Sequence, residues 1–350
     1  MKHLYKNIRK YLWGVSLVFC LSSLSCIETI PIDKVEVGKI LVLNSLITPN
    51  SVFSCKVTKV FPVNDTTDHS IKNATVEIYD ETSNELICEL EHKTNGYYSS
   101  EKYPKVGKSY LIKVSATGYP EVSGVTTIPG KAKANNVSLG IDVGWETLTN
   151  WTYSELRFNI EDTVEQENYY EVTCAGFRRT DLDILYNKTD TSTSRVTKIF
   201  LDDSINNIEH VHGFADFTIV DPIINSEGLM QYNSSTLVFS DQLFNGLTHA
   251  FNIRCYSVTG DAYVFCVYSL SKELYKNRVS LIQHLYERGA KGISRFDDMA
   301  GLDFSSKAID TYSNLTGGYG IFAGYNTTLL FSKLKEQGVI KIDQTQNPYE

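Results

Sequence analysis

The chain has 350 residues, 42% of them hydrophobic, with 33 basic against 41 acidic side chains and a formal net charge of −8. The length suits more than one domain, and the apolar content permits real cores. An acidic chain lacks the cationic footprint of a nucleic-acid binder, so that class of partner is excluded.

Residues 1–10 carry Lys2, Lys6, Arg9 and Lys10 and no acid, and residues 11–24, "YLWGVSLVFCLSSL", are mostly apolar. Together they read as a bacterial secretory signal, residues 1–25. The apolar run falls short of the about 20 residues that span a bilayer. Ser23-Leu24-Ser25-Cys26 then resembles a bacterial lipobox, with Ser23 where leucine is usual. Read so, Cys26 is the lipidation site and the protein is anchored to the membrane rather than spanning it. The alternative is an ordinary signal peptide with an incidental cysteine. No later segment approaches 18 consecutive apolar residues.

Residues 26–38 read as a tether. From 39 to 129 the chain alternates apolar and polar residues between turn signals. "KILVLNSLI", "SVFSCKVTKVF", "ATVEIYD", "NELICELE", "NGYYSS", "SYLIKVSATGY" and "EVSGVTTIP" predict six or seven short strands. That density predicts an immunoglobulin-like β-sandwich. The polar "GKAKANN", 130–136, reads as a linker.

A second β-rich domain is expected over 137–350, with strands at "SELRFNIED", "NYYEVTCAGF", "STLVFS", "LTHAFNIRCYSV" and "AYVFCVY". Residues 181–207 read as a long polar excursion. Leu270, Leu274, Leu281 and Leu285 recur at helical spacing and predict a packed helix over about 268–288, with Gly289 as the stop. "TTLLFSKL" is the last expected strand.

Beyond Cys26 the cysteines are Cys55, Cys88, Cys174, Cys255 and Cys266. No pair has zinc-finger spacing. "FNIRCYSVTGDAYVFCVY" reads as a hairpin turning at Gly260-Asp261, which sets Cys255 opposite Cys266. Two readings follow, a cross-strand disulfide in an oxidising compartment or two buried small hydrophobes.

"YSNLTGGYGIFAGYN", 312–326, approaches a dinucleotide fingerprint. The sequence after it is β-like and too little chain remains for a βαβ unit, so it is read as a turn at 316–318 leading into a close-packed strand. His210 and His212, beside Glu209, share one side of a strand, but no third metal ligand is evident. The carboxylates Glu161, Asp162 and Glu165, Asp202 and Asp203, and Asp297 and Asp298 read as solvated loops. Tyr97-Tyr98, Trp145, Trp151 with Tyr153, and Tyr169-Tyr170 are aromatic clusters able to stack on sugars or apolar ligands, with the core as the competing reading. Asp162-Thr163-Val164 and Asp203-Ser204-Ile205 match a short acceptor pattern for O-glycans. No catalytic, cofactor-binding or metal-binding residue is expected, and no cofactor.

The cysteine-anchored start, "KILVLNSLITPN", "IKNATVEIYD", "TNGYYSSEKYPKVGKSYLIKVSATGY", "ENYYEVT", "LVFSDQLFNGLTHAFNI" and "YSNLTGGYGIFAGYN" occur in an order that resembles the Bacteroidota lipoprotein family called domain of unknown function 4249. The resemblance spans about 26–330. It implies an N-terminal immunoglobulin-like, carboxypeptidase-regulatory-like region and an outer-membrane lipoprotein. It also implies work beside a TonB-dependent, SusC-like receptor, and no catalytic residues. The expectation is therefore a non-enzymatic accessory or ligand-capture lipoprotein of the outer membrane, more at the cell surface than on the periplasmic face, with its ligand unknown. A structural or adhesive surface protein is the alternative, and an unrecognised glycan-active enzyme the minor one.

Overall fold

The computed structural model describes residues 38–62, 65–147, 151–163, 166–177, 211–214, 216–218, 222–225, 235–256, 259–287, 310–332 and 339–344. The lipidation candidate Cys26 lies outside them, as do Asp202, Asp203, Asp297, Asp298, His210 and the excursion 181–207. By contacts the chain forms two units. One comprises 1–38 and 61–68, where the Asp65 N–H donates to the Pro62 carbonyl at 3.0 Å. The other comprises 39–60 and 69–350 and carries every element below.

The fold is mainly β, as its alternation predicts. The first strands are β1 (Leu41–Ile47), β2 (Ser54–Lys59), β3 (Thr75–Asp80), β4 (Leu86–Thr94), β5 (Tyr97–Ser99), β6 (Ser109–Ser115) and β7 (Val122–Thr127). In β1, buried positions alternate with less buried ones, the period of a strand with one face on a core. β4 changes sheets. Its first half pairs with β3, and residues 91–94 pair with β5. One layer is therefore β1-β2-β5, the other β4-β3-β6-β7. Asn95 and Gly96 turn β4 into β5 with φ of 46° and 73°, the left-handed pair a tight hairpin demands. Tyr98 is buried between the layers. Its hydroxyl donates to the Ile71 carbonyl at 2.8 Å and accepts the Ala74 N–H at 2.9 Å.

The next strands are β8 (Lys133–Glu146), β9 (Trp151–Glu161), β10 (Tyr169–Phe177), β11 (Val211–Phe214) and β12 (Asp216–Thr218), then the short α1 (Pro222–Asn225). They are followed by β13 (Leu237–Ser240), β14 (Thr248–Tyr256), β15 (Ala262–Leu270), α2 (Lys272–Glu287), β16 (Tyr319–Ser332) and β17 (Val339–Gln344). One sheet runs β12-β14-β9-β8-β17, and the other joins β11 and β13 to β10, then β15 and β16. Phe158, Phe239, Phe251 and Phe265 fill the space between them. α2 covers the far side of β15, so every residue of β15 is buried. No helix among the described residues is long and apolar enough to cross a membrane.

Besides "TTLLFSKL", which β17 follows so that it is not the last strand, three sequence expectations change. The stretch 130–136 does not stay a linker, because residues 133–135 already pair with β9 inside β8. The helix begins at Lys272 rather than 268, because Tyr268, Ser269 and Leu270 still pair with β10 and β16. Ser271 caps the helix, its hydroxyl accepting the Leu274 N–H at 3.3 Å. Leu270 fits the helical period by coincidence and is a strand residue buried beneath α2.

The third change concerns the cysteines. β14 and β15 do not pair; the chain crosses from one sheet to the other between them. Cys255 faces the core between the sheets, whereas Cys266 faces the layer under α2. A strand register alone set them opposite each other, and the sheet crossing separates them. None of the described cysteines is in a disulfide.

Candidate functional site

The glycine stretch forms a seam. β16 runs parallel to β1 over 319–324, then antiparallel to β15 over 325–331. One strand thus adds an edge to the β1-β2-β5 layer and continues into the sheet of β10 and β15, and its Phe322 joins the core of Leu41, Leu43 and Val122. The glycines permit this. At Gly320, φ is +109° and an added Cβ would stand 2.0 Å from the Leu43 carbonyl oxygen. At Gly324 it would stand 2.5 Å from the Thr127 oxygen. The Asn314 side chain accepts the Phe322 N–H at 3.0 Å and donates to the Phe322 carbonyl at 2.7 Å, holding the turn against the strand. The Asn314 amide and the Gly324 N–H are both engaged within this seam, the latter by the Thr126 and Ser271 hydroxyls.

Among the described carboxylates of these clusters, Glu161 accepts the Asn135 side-chain N–H across the β8–β9 pair, and Asp162 meets a second acid. That acid is Asp241, which is 1% exposed. Asp162 accepts the Tyr170 hydroxyl at 2.7 Å, an Asn168 side-chain N–H at 3.0 Å and the Gly246 N–H at 2.8 Å. Asp241 accepts the Asn168 N–H at 2.8 Å. Burial first, and the charge of Asp162 after it, push the Asp241 carboxyl above the ordinary carboxylate range, against the pull of the Asn168 N–H. Burial and the hydrogen bond to Asp162 likewise push the Tyr170 phenol up. These oxygens are committed to closing the loop 241–247, a clasp rather than an open acid pair.

The aromatic clusters divide. Tyr98 and Tyr170 are core residues, and Tyr169 stacks on Tyr275 with ring centroids 4.5 Å apart. The β8–β9 hairpin behaves differently. Trp145 and Trp151 are 55% and 65% exposed, the latter the most exposed large hydrophobic residue among those described. Trp145 pairs with Thr152 and Glu146 with Trp151, so the two indoles leave opposite faces of the hairpin.

Along β9 the even positions Ser154, Leu156, Phe158 and Ile160 are buried, so the odd positions form the outer face. That face carries Trp151, Tyr153, Glu155 and Arg157, beside Arg254 and Tyr256 of β14 and Glu146 of β8. Gly144 lies opposite Tyr153, and the Tyr153 ring tip fills the space of the missing side chain, 2.2 Å from where a Cβ would stand. The Arg254 guanidinium sits 4.6 Å from the Tyr153 ring centroid. Tyr256 meets Trp151 edge to face at 6.3 Å, and its hydroxyl donates to Glu146. Arg157 pairs with Glu155 at 2.6 Å. The outer face therefore presents one open indole in a frame of side chains already fixed by one another. The sequence marked Trp151 and Tyr153, whereas Glu146, Arg254 and Tyr256 join them only through sheet pairing.

No group of three or more His, Cys, Asp or Glu side chains able to hold a metal ion occurs among the described residues. His212 belongs to β11, of which only the backbone is described.

A family model described as domain of unknown function (DUF4249) matches residues 27–329. Curated proteins provide no match to the chain.

Proposed function

The chain belongs to the family described as domain of unknown function (DUF4249), and we propose that it works as a non-enzymatic lipoprotein of the outer membrane, anchored through Cys26. There it captures a ligand for a TonB-dependent, SusC-like receptor. On this reading residues 1–25 are the signal, 26–38 the tether, and 39–129 an immunoglobulin-like spacer that carries the second sandwich away from the lipid.

The observation that carries the reading is the outer face around Trp151. An indole 65% exposed on a sheet face costs solvation in isolation and gains when a ligand covers it. Its neighbours are held in pairs before any ligand arrives, so little conformational entropy is lost on binding. Such a face suits capture rather than bond breaking.

The test is extraction of the native protein with mild detergent after crosslinking. Recovery of a barrel receptor with the wild-type chain, and its loss with Cys26→Ser, is the expected result. Recovery of no barrel from crosslinked cells overturns the receptor partnership. A Cys26→Ser chain that still fractionates with outer membranes overturns the anchor.

A further inference from the structure

We propose that the Trp151 face takes a neutral saccharide, an inference that rests on the ligand-capture reading and names its ligand class. Four observations lead there.

The first is shape. The open group is a flat indole whose accessible face has about the dimensions of one sugar ring, and Tyr256 props it edge-on rather than covering it. The negative face of an aromatic ring attracts the slightly positive C–H groups that line one side of a pyranose.

The second is charge. Along residues 151–157 of β9 and the positions of β8 and β14 paired with them, the ionic side chains are Glu146, Glu155, Arg157 and Arg254, two of each sign. A balanced frame offers no net attraction to a polyanion or a polycation, and the chain's net charge of −8 opposes anions further.

The third is polarity. A purely apolar ligand spread over this face would desolvate those charges without replacing their hydrogen bonds, which is unfavourable. Hydroxyl groups replace them, because a sugar hydroxyl donates to a carboxylate oxygen and accepts from a guanidinium N–H. The neutral amides Asn252 and Asn159 continue the same outer face along β14 and β9, a row of donors and acceptors for a longer chain.

The fourth is rigidity. The Tyr153 ring packs over Gly144, Arg254 stacks on Tyr153, and Tyr256 is tied to Glu146. The donors and acceptors therefore stand in place around the indole before the ligand binds.

The opposite placement of Trp145 and Trp151 supplies the control. A saccharide on the outer face needs Trp151 alone. A membrane surface or a protein gripping the hairpin tip needs both indoles.

The experiment titrates the full secreted chain with neutral hexasaccharides of glucose, mannose and xylose in α and β linkages. The readouts are tryptophan fluorescence and calorimetry, with a matching acidic hexasaccharide and anionic phospholipid vesicles in parallel. The expected result is saturable binding of at least one neutral hexasaccharide. That binding weakens about tenfold or more in Trp151→Ala, the loss of one stacked ring, and stays within about twofold of wild type in Trp145→Ala. Unchanged melting of both variants shows that folding is not the cause.

Absence of binding by every neutral hexasaccharide overturns the inference. So does binding that Trp151→Ala leaves intact, equal loss in both variants, or preference for the acidic glycan or the vesicles. The result separates from the receptor test. A barrel partner without saccharide binding removes this inference and leaves the capture role, and saccharide binding without a barrel partner removes the receptor and leaves the site.

Discussion

The amide N–H of Gly324 donates to the hydroxyl of Thr126 at 2.9 Å, across 198 positions of sequence. That hydroxyl in turn donates to Glu273 of α2 at 3.1 Å, so one buried oxygen ties β7, β16 and the helix together. Thr126→Val keeps the shape and removes both bonds. It is expected to destabilise the chain by about 1–3 kcal/mol, read as a lower urea midpoint at unchanged slope.

The seam glycines should behave unlike the others. Gly320→Ala meets both a forbidden φ and the Leu43 carbonyl, and the expected loss is about 3 kcal/mol or more. At Gly130 nothing stands within 4 Å of an added Cβ and φ lies outside the left-handed region. Gly130→Ala is therefore expected to be neutral or stabilising by about 0.5 kcal/mol. Thermal melts of the two variants side by side check the contrast, and equal effects would remove the close-approach explanation.

The Asp162–Asp241 clasp sets a pH dependence. The Asp241 carboxyl is raised in the fold, so its favourable contribution is present below the unfolded carboxylate pKa and fades as pH rises through the folded value. Asp241→Asn mimics the protonated form and titrates no proton. Relative to wild type, the variant is expected to gain stability between about pH 4 and about pH 7. Urea midpoints at both pH values check the sign, and a constant difference between the two proteins would contradict it.

Burial pushes the Cys55 thiol up to about 12 and raises Cys174 and Cys266 as well, so all three are poor nucleophiles while folded. A thiol reagent at neutral pH should label them only after denaturation. Peptide mapping without reduction should show no Cys255–Cys266 bridge, since the two side chains face different layers. Finding that bridge in the native protein would mean that β14 and β15 pair as a hairpin.

Arg278 of α2 donates to Glu171 of β10 at 3.2 Å, and the Glu171 side chain is 10% exposed. Arg278→Ala leaves that carboxylate buried without its cation and is expected to cost about 3 kcal/mol. Arg278→Ala with Glu171→Gln should recover part of it, because the uncompensated charge is then gone. A double-mutant cycle reads the coupling directly.

The sequence by itself determined the strand-rich character of this protein. Strands such as β1, β6 and β7 follow an apolar period of two between turns such as Asn95-Gly96, and local sterics suffice to write that pattern. It also marked the glycine stretch as turn and close packing, and Trp151 and Tyr153 as an aromatic cluster. The tertiary structure alone decided which strands pair. Period and turn residues are local, whereas sheet membership depends on partners far along the chain. That is why Cys255 and Cys266 part, why Leu270 leaves the helix, and why Asp162 finds Asp241. It is also why Trp151 stands beside Tyr256 of another strand, about a hundred residues away. The candidate site is made of such pairings, and no periodicity within one strand records them.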